Sequence, residues 1–245
     1  MEESKSWFES WFDSPYYHIL YKDRDLREAE EFIDQLMSRL QLQQDARIYD
    51  MGCGKGRHSI YLNKKGYNIT GIDLSKKSIA FCKQFENETL HFFEHDMRNI
   101  FRTNYFDAVV NLFTSFGYFS QQHQNQLPIL AASKSLKKGG YLLVDFLNTN
   151  NVVKGIPNEI TKEVNGIKFN IRKKIENDFI KKEIKFEDDG QQFSFTEEVR
   201  ILLLEDFYQF YIQAGLEVIS IYGDYNLNDF DEHESPRLIM LTRKI

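Results

Sequence analysis

A short apolar run that ends in Asp50 and passes directly into three alternating glycines, Gly52, Gly54 and Gly56, constrains this chain more than any other feature. The residues after the glycines have helical patterning, and Asp73 ends the next apolar run. This order predicts a strand, a glycine turn, a helix, a second strand and an acid, which together form a βαβ unit that holds a nucleoside. Glycines let a ligand approach the backbone closely, and the second carboxylate can accept both ribose hydroxyls.

Strands and helices continue to alternate through the first 150 residues. Helices are predicted at Ser75 to Phe85 and at Gln121 to Leu136, with Ser75 as an N-cap. The run Lys138-Gly139-Gly140 predicts a stop and a turn before the fifth strand. Strands separated by helices predict a parallel sheet that is covered on both faces. The predicted strands lie near 47–51, 67–72, 89–94, 106–111 and 140–146.

Residues 1–45 and 160–203 depart from this alternation. The first region predicts two amphipathic helical pieces, of which the second runs from about Asp25 to Leu40. The second region alternates apolar and polar side chains around turns such as Asn177-Asp178, which predicts an antiparallel meander. We expect this block to be an insertion beside the main sheet, because it is short for an independent domain.

The C-terminal residues predict a helix followed by a closing hairpin. The helix runs from Glu205 to Ala214, with Gly215 as its stop. Two strands, near 216–222 and 237–243, then follow and are joined by a polar loop. They are expected to pair in antiparallel fashion.

Composition argues against nucleic-acid, membrane and metal-binding functions. Acidic residues outnumber basic ones by 37 to 31, giving a net charge of −6, which argues against broad nucleic-acid binding. The two cysteines, Cys53 and Cys82, have no metal or redox spacing and are expected to be reduced thiols. With no secretory signal and no apolar run near 18 residues, the protein is predicted to be cytoplasmic, with no membrane partner and no metal.

Five motifs in order resemble the class I S-adenosylmethionine-dependent methyltransferases over about residues 46–147. The resemblance implies an α/β fold with a Rossmann-like, seven-stranded, mostly parallel sheet whose last strand is antiparallel. Helices cover both faces, and the small antiparallel β insertion is additional. It also implies S-adenosyl-L-methionine as the cofactor. The motifs are Asp50-Met51-Gly52-Cys53-Gly54-Lys55-Gly56, Gly71-Ile72-Asp73-Leu74-Ser75, His95-Asp96-Met97, Phe106-Asp107-Ala108-Val109-Val110-Asn111 and Leu136-Lys137-Lys138-Gly139-Gly140-Tyr141-Leu142-Leu143.

The resemblance assigns roles to the glycine turn and to the second strand. Backbone groups of Gly52, Cys53 and Gly54 would meet the amino and carboxylate ends of the methionine moiety. Asp73 would accept the ribose hydroxyls, and Leu74 would pack on the adenine. The alternative for Asp73 is a carboxylate that only caps a helix.

Four further residues complete the cofactor set that the resemblance implies. Asp50 belongs to the first motif. Asp96 would meet the adenine amino group with the Met97 backbone beside it, unless it is only a solvated loop acid. Asn111 would line the methionine end near the transferable methyl group.

The resemblance also divides the chain by role. Residues 1–45 would be a helical segment that covers the cofactor site, residues 46–147 and 204–245 the methyltransferase core, and residues 148–203 a lid or substrate-side element. Tyr16, Tyr17 and Tyr21 would then close over the cofactor, or else pack on a sheet edge, which is the commoner use of such residues.

The residues after the fourth strand leave the acceptor open. The chain has no Asn-Pro-Pro-Tyr there, so the usual marker of adenine or glutamine amide methylation is missing. Phe113, Phe116 and Phe119 either wall the positively charged sulfonium or form part of the core at helical spacing. The basic residues around 172–174 and 181–182 are either a solvated face of the meander or a basic rim for an acidic substrate.

Methyl transfer to a nitrogen, oxygen or carbon nucleophile, on a small molecule, is the expected reaction. Tyr17, His18 and Tyr118 are the candidates for a general base, which a hydroxyl or carbon acid would need and a neutral amine would not. His18 and His58 can also be ordinary hydrogen-bonded histidines. Two rival functions are a non-catalytic S-adenosylmethionine-binding protein and a nicotinamide-dependent oxidoreductase. The sequence leaves the oligomeric state open.

Overall fold

A computed structural model describes residues 7–22 and 26–245, which fold around two separate β-sheets. The larger sheet has seven strands in the order β10-β11-β5-β4-β1-β2-β3. Strands β1 to β5 are parallel to one another, and β11 runs antiparallel to both β5 and β10. The strands of this sheet are β1 (Arg47–Met51), β2 (Asn68–Asp73), β3 (Leu90–Glu94), β4 (Phe106–Asn111), β5 (Leu136–Leu147), β10 (Leu216–Tyr222) and β11 (Arg237–Lys244).

The sheet confirms the predicted fold class. Central strands such as β1 and β4 are buried along almost their whole length, as expected for a sheet covered on both faces. Separate hydrophobic clusters lie on its two sides, one built with the third helix of the chain and the other with the C-terminal helix. The helices are α1 (Trp7–Phe12), α2 (Pro15–Leu20), α3 (Leu26–Leu40), α4 (Arg57–Lys64), α5 (Lys76–Cys82), α6 (Gln122–Ser135), α7 (Thr149–Lys154) and α8 (Leu204–Ala214), with a 3₁₀ turn at Lys83–Phe85.

Two predicted helix ends are confirmed in atomic detail. Ser75 caps α5, and its hydroxyl oxygen accepts a hydrogen bond from the backbone of Ser78 at 3.0 Å. Gly215 ends α8 with a φ of 67°, a left-handed conformation that glycine adopts without strain.

The predicted turn before the fifth strand is wrong. β5 begins at Leu136, so Lys138-Gly139-Gly140 lies inside it. The pairing with β4 jumps from Phe106 with Leu136 to Ala108 with Tyr141, which makes the glycine pair a bulge. A Cβ on Gly140 would lie 2.9 Å from the carbonyl oxygen of Asp107, so this close backbone approach requires glycine.

The meander forms a second sheet of four antiparallel strands in the order β6-β7-β8-β9. Tight turns with left-handed residues join them, including the predicted Asn177-Asp178 turn, as twisted two-residue hairpins require. The strands are β6 (Asn158–Val164), β7 (Ile167–Glu176), β8 (Phe179–Asp188) and β9 (Gln191–Arg200).

The N-terminal helices divide between the two sheets. The α1 and α2 helices pack on the second sheet, where Trp11 and Leu20 share a buried cluster with Phe169 and Ile184. The α3 helix packs on the main sheet instead. Residues 1–6 and 23–25, including the expected helix start at Asp25, lie outside the described residues. Within the described ranges, no helix has both the length and the apolar character needed to cross a bilayer.

Candidate functional site

A cavity of about 840 Å³ lies at the carboxyl ends of β1, β2 and β4, and its walls extend onto α1, α2 and the second sheet. Parallel α/β sheets bind ligands at this edge because the strands end there in loops and helix starts. Most of the predicted site residues line the cavity: Tyr17, His18, Asp50, Gly52, Cys53, Gly54, Asp73, Leu74, Met97 and Tyr118.

The glycine turn forms one wall through its backbone. The amides of Gly52 and Cys53 both donate to the carbonyl oxygen of Ile72 at 2.9 Å, which fixes the turn against β2. Gly52 has a φ of 78°, and a Cβ there would lie 2.7 Å from Cβ of Ser115. Gly54 also has a positive φ, but a Cβ on it would meet no atom within 4 Å. Its face is therefore open to a ligand.

Asp73 lies beside this turn and is partly buried. Its carboxylate accepts from the backbone of Gly54 at 2.9 Å and from the backbone of Ser75 at 2.8 Å. Burial raises its pKa, and these backbone hydrogen bonds oppose that rise. Ser75, not Asp73, is the N-cap of α5, and Asp73 only accepts the backbone amide of that cap residue. Each oxygen of Asp73 keeps a further lone pair, and the side chain lines the cavity.

Asp50 lies at the other side of the turn and is also buried. Burial raises the pKa of its carboxyl to about 6, although the hydroxyl of Ser59 donates to it at 2.6 Å. A buried carboxylate with one neutral donor is poorly compensated. A cationic group of a ligand would supply the missing charge.

Asp96 and Asn111 are not among the residues that line the cavity in the described part of the chain. Asp96 forms a bidentate pair with the guanidinium of Arg98; burial raises its pKa, but the hydrogen bonds from Arg98 outweigh burial and lower it. Asn111 lies inside the sheet, where its amide donates to the carbonyl oxygen of Met51 at 2.7 Å. Their contacts with the adenine and the methionine end stay predictions.

The three candidate bases line the same cavity. The pKa of His18 falls to about 4, first because burial disfavours the cation and then because Lys55 lies nearby. His18 is therefore neutral at pH 7 and able to accept a proton. The ring of Tyr17 lies 5.3 Å from that of His18, and the hydroxyl of Tyr118 donates to the carbonyl oxygen of Thr114.

The aromatic segment after β4 divides between the two predicted uses. Phe116 is buried against Phe146 and Phe207 in the core, whereas Phe113 and Phe119 line the cavity. Residues 112–120 form no helix, so helical spacing is not the reason for the core contact. Instead Phe113 and Thr114 both adopt left-handed backbone conformations, with φ of 57° and 59°, which turn successive side chains in different directions.

The N-terminal tyrosines also combine both expected uses. Tyr16 packs between Phe186 and Phe193 of the second sheet and donates to Asp188 at 2.9 Å. Tyr17 and Tyr21 line the cavity.

His58 also lines the cavity, and its ring contacts Phe113 and Arg57. It stacks on Phe113 with the ring centroids 4.7 Å apart, and its Nε2 lies 2.9 Å from the guanidinium of Arg57. The Nε2 atom of His58 therefore faces Arg57 and not the open part of the cavity.

Sequence reasoning missed a buried ion pair beneath the cavity. Asp145 at the end of β5 accepts from Nε of Arg237 at 2.8 Å, from the hydroxyl of Tyr225 at 3.3 Å and from the backbone of Phe113 at 2.7 Å. Arg237 also donates to Thr114 at 2.8 Å. An acid at the carboxyl end of a buried strand, the same signal that singled out Asp50, could have found Asp145, but Arg237 carries no such signal.

The chemistry of the site fits S-adenosylmethionine. The open face of Gly54 would meet the ligand backbone to backbone, and the remaining lone pairs of Asp73 suit two hydroxyls. The buried carboxylate of Asp50 suits an ammonium group. Among the described residues, no three or more His, Cys, Asp or Glu side chains are grouped so that they could hold a metal ion.

Comparison with known proteins identifies the domain. Residues 48–140 match the family described as "Methyltransferase domain". The chain is 33% identical over 121 residues to YqeM of Bacillus subtilis, covering 47% of this chain and 48% of that protein. It is 28% identical over 119 residues to the dTDP-3-amino-3,4,6-trideoxy-alpha-D-glucopyranose N,N-dimethyltransferase of Streptomyces venezuelae, covering 48% of each. The chain thus spans about half the length of the curated relatives it matches.

The fold extends beyond the matching domain. A crystal structure of an S-adenosylmethionine-dependent methyltransferase from Clostridium acetobutylicum superposes with a TM-score of 0.79, covering 94% of this chain and 96% of that one. At 20% identity, this likeness shows the common fold.

Proposed function

We propose that this chain is a class I S-adenosylmethionine-dependent methyltransferase that transfers a methyl group to a nitrogen, oxygen or carbon nucleophile of a small molecule. The observation that carries the proposal is one cavity lined both by the cofactor-type residues and by the candidate bases. Its volume of about 840 Å³ lies within the range of about 300–1,000 Å³ typical of small-ligand sites. The dTDP-linked amino sugar named for the Streptomyces venezuelae relative supports a small-molecule acceptor.

The wall formed by β1 and β2 would hold the cofactor. S-adenosylmethionine, when bound, supplies an electrophilic methyl group on a positively charged sulfur. The backbone of Gly52 to Gly54 would meet its methionine end, Asp73 its ribose hydroxyls and Asp50 its amino group. Because a cation beside Asp50 favours the ionised carboxylate, binding would oppose the effect of burial on its pKa.

The wall formed by α1, α2 and the 113–119 segment would receive the acceptor. The rings of Trp7, Phe8 and Phe12 lie 5.3–6.2 Å from that of Tyr118, and all four residues line the cavity. Aromatic faces stabilise a nearby positive charge and exclude water from the reacting atoms. The neutral His18 can accept a proton from a hydroxyl or carbon acid, while a neutral amine needs no such acceptor.

The sheet order argues against a nicotinamide-dependent oxidoreductase. Dinucleotide enzymes of the doubly wound type have an all-parallel order in their second half. Here the antiparallel strand β11 lies between β5 and β10. A non-catalytic binding protein is the remaining rival, and it differs from an enzyme only in turnover.

Methyl transfer from isotopically labelled S-adenosylmethionine into small-molecule fractions of a cell extract tests the proposal. We expect label in a small-molecule fraction with the natural chain and its loss with Asp73→Ala. The matched control is Asp34→Ala, which changes an exposed aspartate that pairs with Lys65 on α4's C-terminal side. Cofactor binding without label in any fraction would favour the binding protein, and full activity of Asp73→Ala would refute the site.

A further inference from the structure

The inward face of the second sheet carries one row of charged side chains between two apolar rows. Alternate residues of a strand point to the same face, so the paired residues Ile171, Ile184 and Phe195 form one row. These three pack with the N-terminal helices. Two residues along each strand, the next row on this face is Lys173, Lys182 and Glu197, and all three line the cavity.

The row after that is apolar again, and its members Ile180 and Val199 also line the cavity. The charged row therefore interrupts a surface that is otherwise built for burial. Two like charges directly opposite each other on neighbouring strands destabilise a sheet. Lys173 lies directly opposite Lys182.

The carboxylate in this row compensates one of the two lysines. Glu197 lies 3.4 Å from Nζ of Lys182 and also accepts from the indole of Trp11 at 2.7 Å and the hydroxyl of Tyr21 at 2.6 Å. Its acceptor capacity is thus largely used. Within residues 7–22 and 26–245, no carboxylate forms an ion pair with Lys173.

The outer face of the same sheet is different. There Arg172 pairs with Glu159 at 3.1 Å, Lys174 with Glu183 at 2.9 Å, and Lys181 with Glu198 at 3.1 Å. These cations form the solvated face that the sequence suggested as one of two possibilities. Two outer-face lysines, Lys168 and Lys185, also form no ion pair among the described residues, but both are exposed to solvent. Lys173 differs from them because it is half-buried and lines the cavity.

The cavity as a whole is more basic than the chain. Its walls include six lysines and arginines and four carboxylates, although the chain has a net charge of −6. Two of those carboxylates, Asp50 and Asp73, belong to the cofactor wall. Two of the cations, Lys55 and Arg57, adjoin the glycine turn of that wall, and Arg237 is paired with Asp145. On the rest of the lining, the three lysines Lys22, Lys173 and Lys182 outnumber the two carboxylates Glu28 and Glu197.

We propose that Lys173, with Lys182 beside it, binds an anionic group of the methyl acceptor, either a phosphate or a carboxylate. The inference rests on the proposed function, because it names the acceptor class for the same cavity. Ammonium groups on flexible stems bind such oxygens as point charges, and an anion between the two lysines would remove their repulsion. The apolar rows on either side would pack against the uncharged part of the acceptor.

Anion binding to the full chain, saturated with S-adenosylhomocysteine, tests the proposal. The probes are inorganic phosphate, pyrophosphate and succinate, titrated calorimetrically at constant ionic strength held with sodium chloride. We expect at least one probe to bind, and we expect Lys173→Met to weaken it about tenfold or more, as loss of a charge-assisted contact does. The matched control is Lys174→Met, its outward-facing neighbour, which should bind the probe like the natural chain.

The phosphate and succinate titrations show whether the site binds a phosphate or a carboxylate. Thermal unfolding shows whether a variant that fails to bind is still folded. Because Lys173→Met removes a like-charge contact, its melting temperature should be no lower than that of the natural chain. Failure of all probes to bind, or equal binding by Lys173→Met and Lys174→Met, would overturn the proposal. Failure to bind S-adenosylhomocysteine in the same titrations would contradict the proposed function itself.

Discussion

The two walls of the cavity are built in different ways. The cofactor wall comes from one contiguous region of the chain. It presents mainly backbone groups, such as those of Gly54, and the carboxylates of Asp50 and Asp73. The acceptor wall comes from α1, α2, the 113–119 segment and the second sheet, and it presents aromatic rings and cations. A constant ligand can be held by a short motif, whereas the fit to an acceptor is assembled from residues far apart in the chain. Changes in either wall should therefore have separable effects.

Arg237→Met should give the largest effect, because it removes the support beneath both walls. It leaves Asp145, which is fully buried, without its cation, and unpairing a buried carboxylate costs about 3–5 kcal/mol. We expect the free energy of unfolding to fall by that amount at pH 8 in urea denaturation. Burial already raises the pKa of Asp145, so protonation would reduce the deficit as the pH falls.

The control for this prediction is Arg243→Met, which changes an exposed arginine on the same strand. It should leave stability nearly unchanged. The double variant Asp145→Asn with Arg237→Met should recover much of the loss. Equal stability of the two single arginine variants would contradict the role of the buried pair.

Gly54→Ala should weaken cofactor binding, whereas a matched glycine variant outside the cofactor wall should not. Gly54 and Gly166 both have positive φ, and a Cβ on either would meet no atom within 4 Å. Each alanine variant therefore has a similar backbone cost of about 1–2 kcal/mol. We expect Gly54→Ala to weaken S-adenosylhomocysteine binding about 100-fold, equivalent to about 2.7 kcal/mol. Gly166→Ala should bind it normally in the same calorimetric titration, and equal affinities would show that no ligand meets Gly54.

Asp50→Asn should weaken cofactor binding and stabilise the protein without ligand. The loss of a charged partner for the amino group should cost about tenfold in affinity. A carboxyl pKa of about 6 in the folded state, against 3.8 in the unfolded state, corresponds to a burial cost of roughly 3 kcal/mol above pH 6. Without ligand, the melting temperature of the variant should therefore be higher than that of the natural chain at pH 8. The two melting temperatures should be nearly equal near pH 4. A lower melting temperature at pH 8 would contradict the prediction.

His18 should give the smallest and most pH-dependent effect, confined to the acceptor wall. Its pKa is about 4 in the folded chain and 6.5 in the unfolded chain, so the unfolded state binds more protons between these values. The natural chain should lose stability relative to His18→Gln as the pH falls from 6.5 to 4. Above pH 6.5 the difference between them should be constant. Melting curves across pH 4–8 measure this, and a constant difference over the whole range would contradict the shifted pKa.

The methyltransferase core could be predicted from sequence because its signals are local. The apolar runs and the glycine spacing of residues 46–74 require only that neighbouring elements pack together. The exception within the core is the start of β5, where Gly139 and Gly140 form a bulge. A glycine pair permits a turn and a bulge equally, and only the pairing with β4 decides between them.

The acceptor wall could be predicted only as a set of alternatives. Phe116 and Phe119 belong to one short segment, yet the first lies in the core and the second lines the cavity. Likewise Lys173 and Lys174 are neighbours in the chain and point to opposite faces of the second sheet. Which face meets a ligand depends on how the sheet is placed against α1 and α2, and no local pattern specifies that placement.

The sequence by itself determined the main sheet and the glycine turn, because both follow from the periodicity and spacing of nearby residues. The cofactor class was indicated by the resemblance of five ordered motifs to a known family. The tertiary structure alone decided that α1 and α2 pack on the second sheet and that Asp145 meets Arg237 across 92 residues. It alone also decided that an uncompensated lysine faces the cavity. These contacts join segments whose separation along the chain leaves no trace in local patterning, so the burial and charge balance of the folded chain fix them.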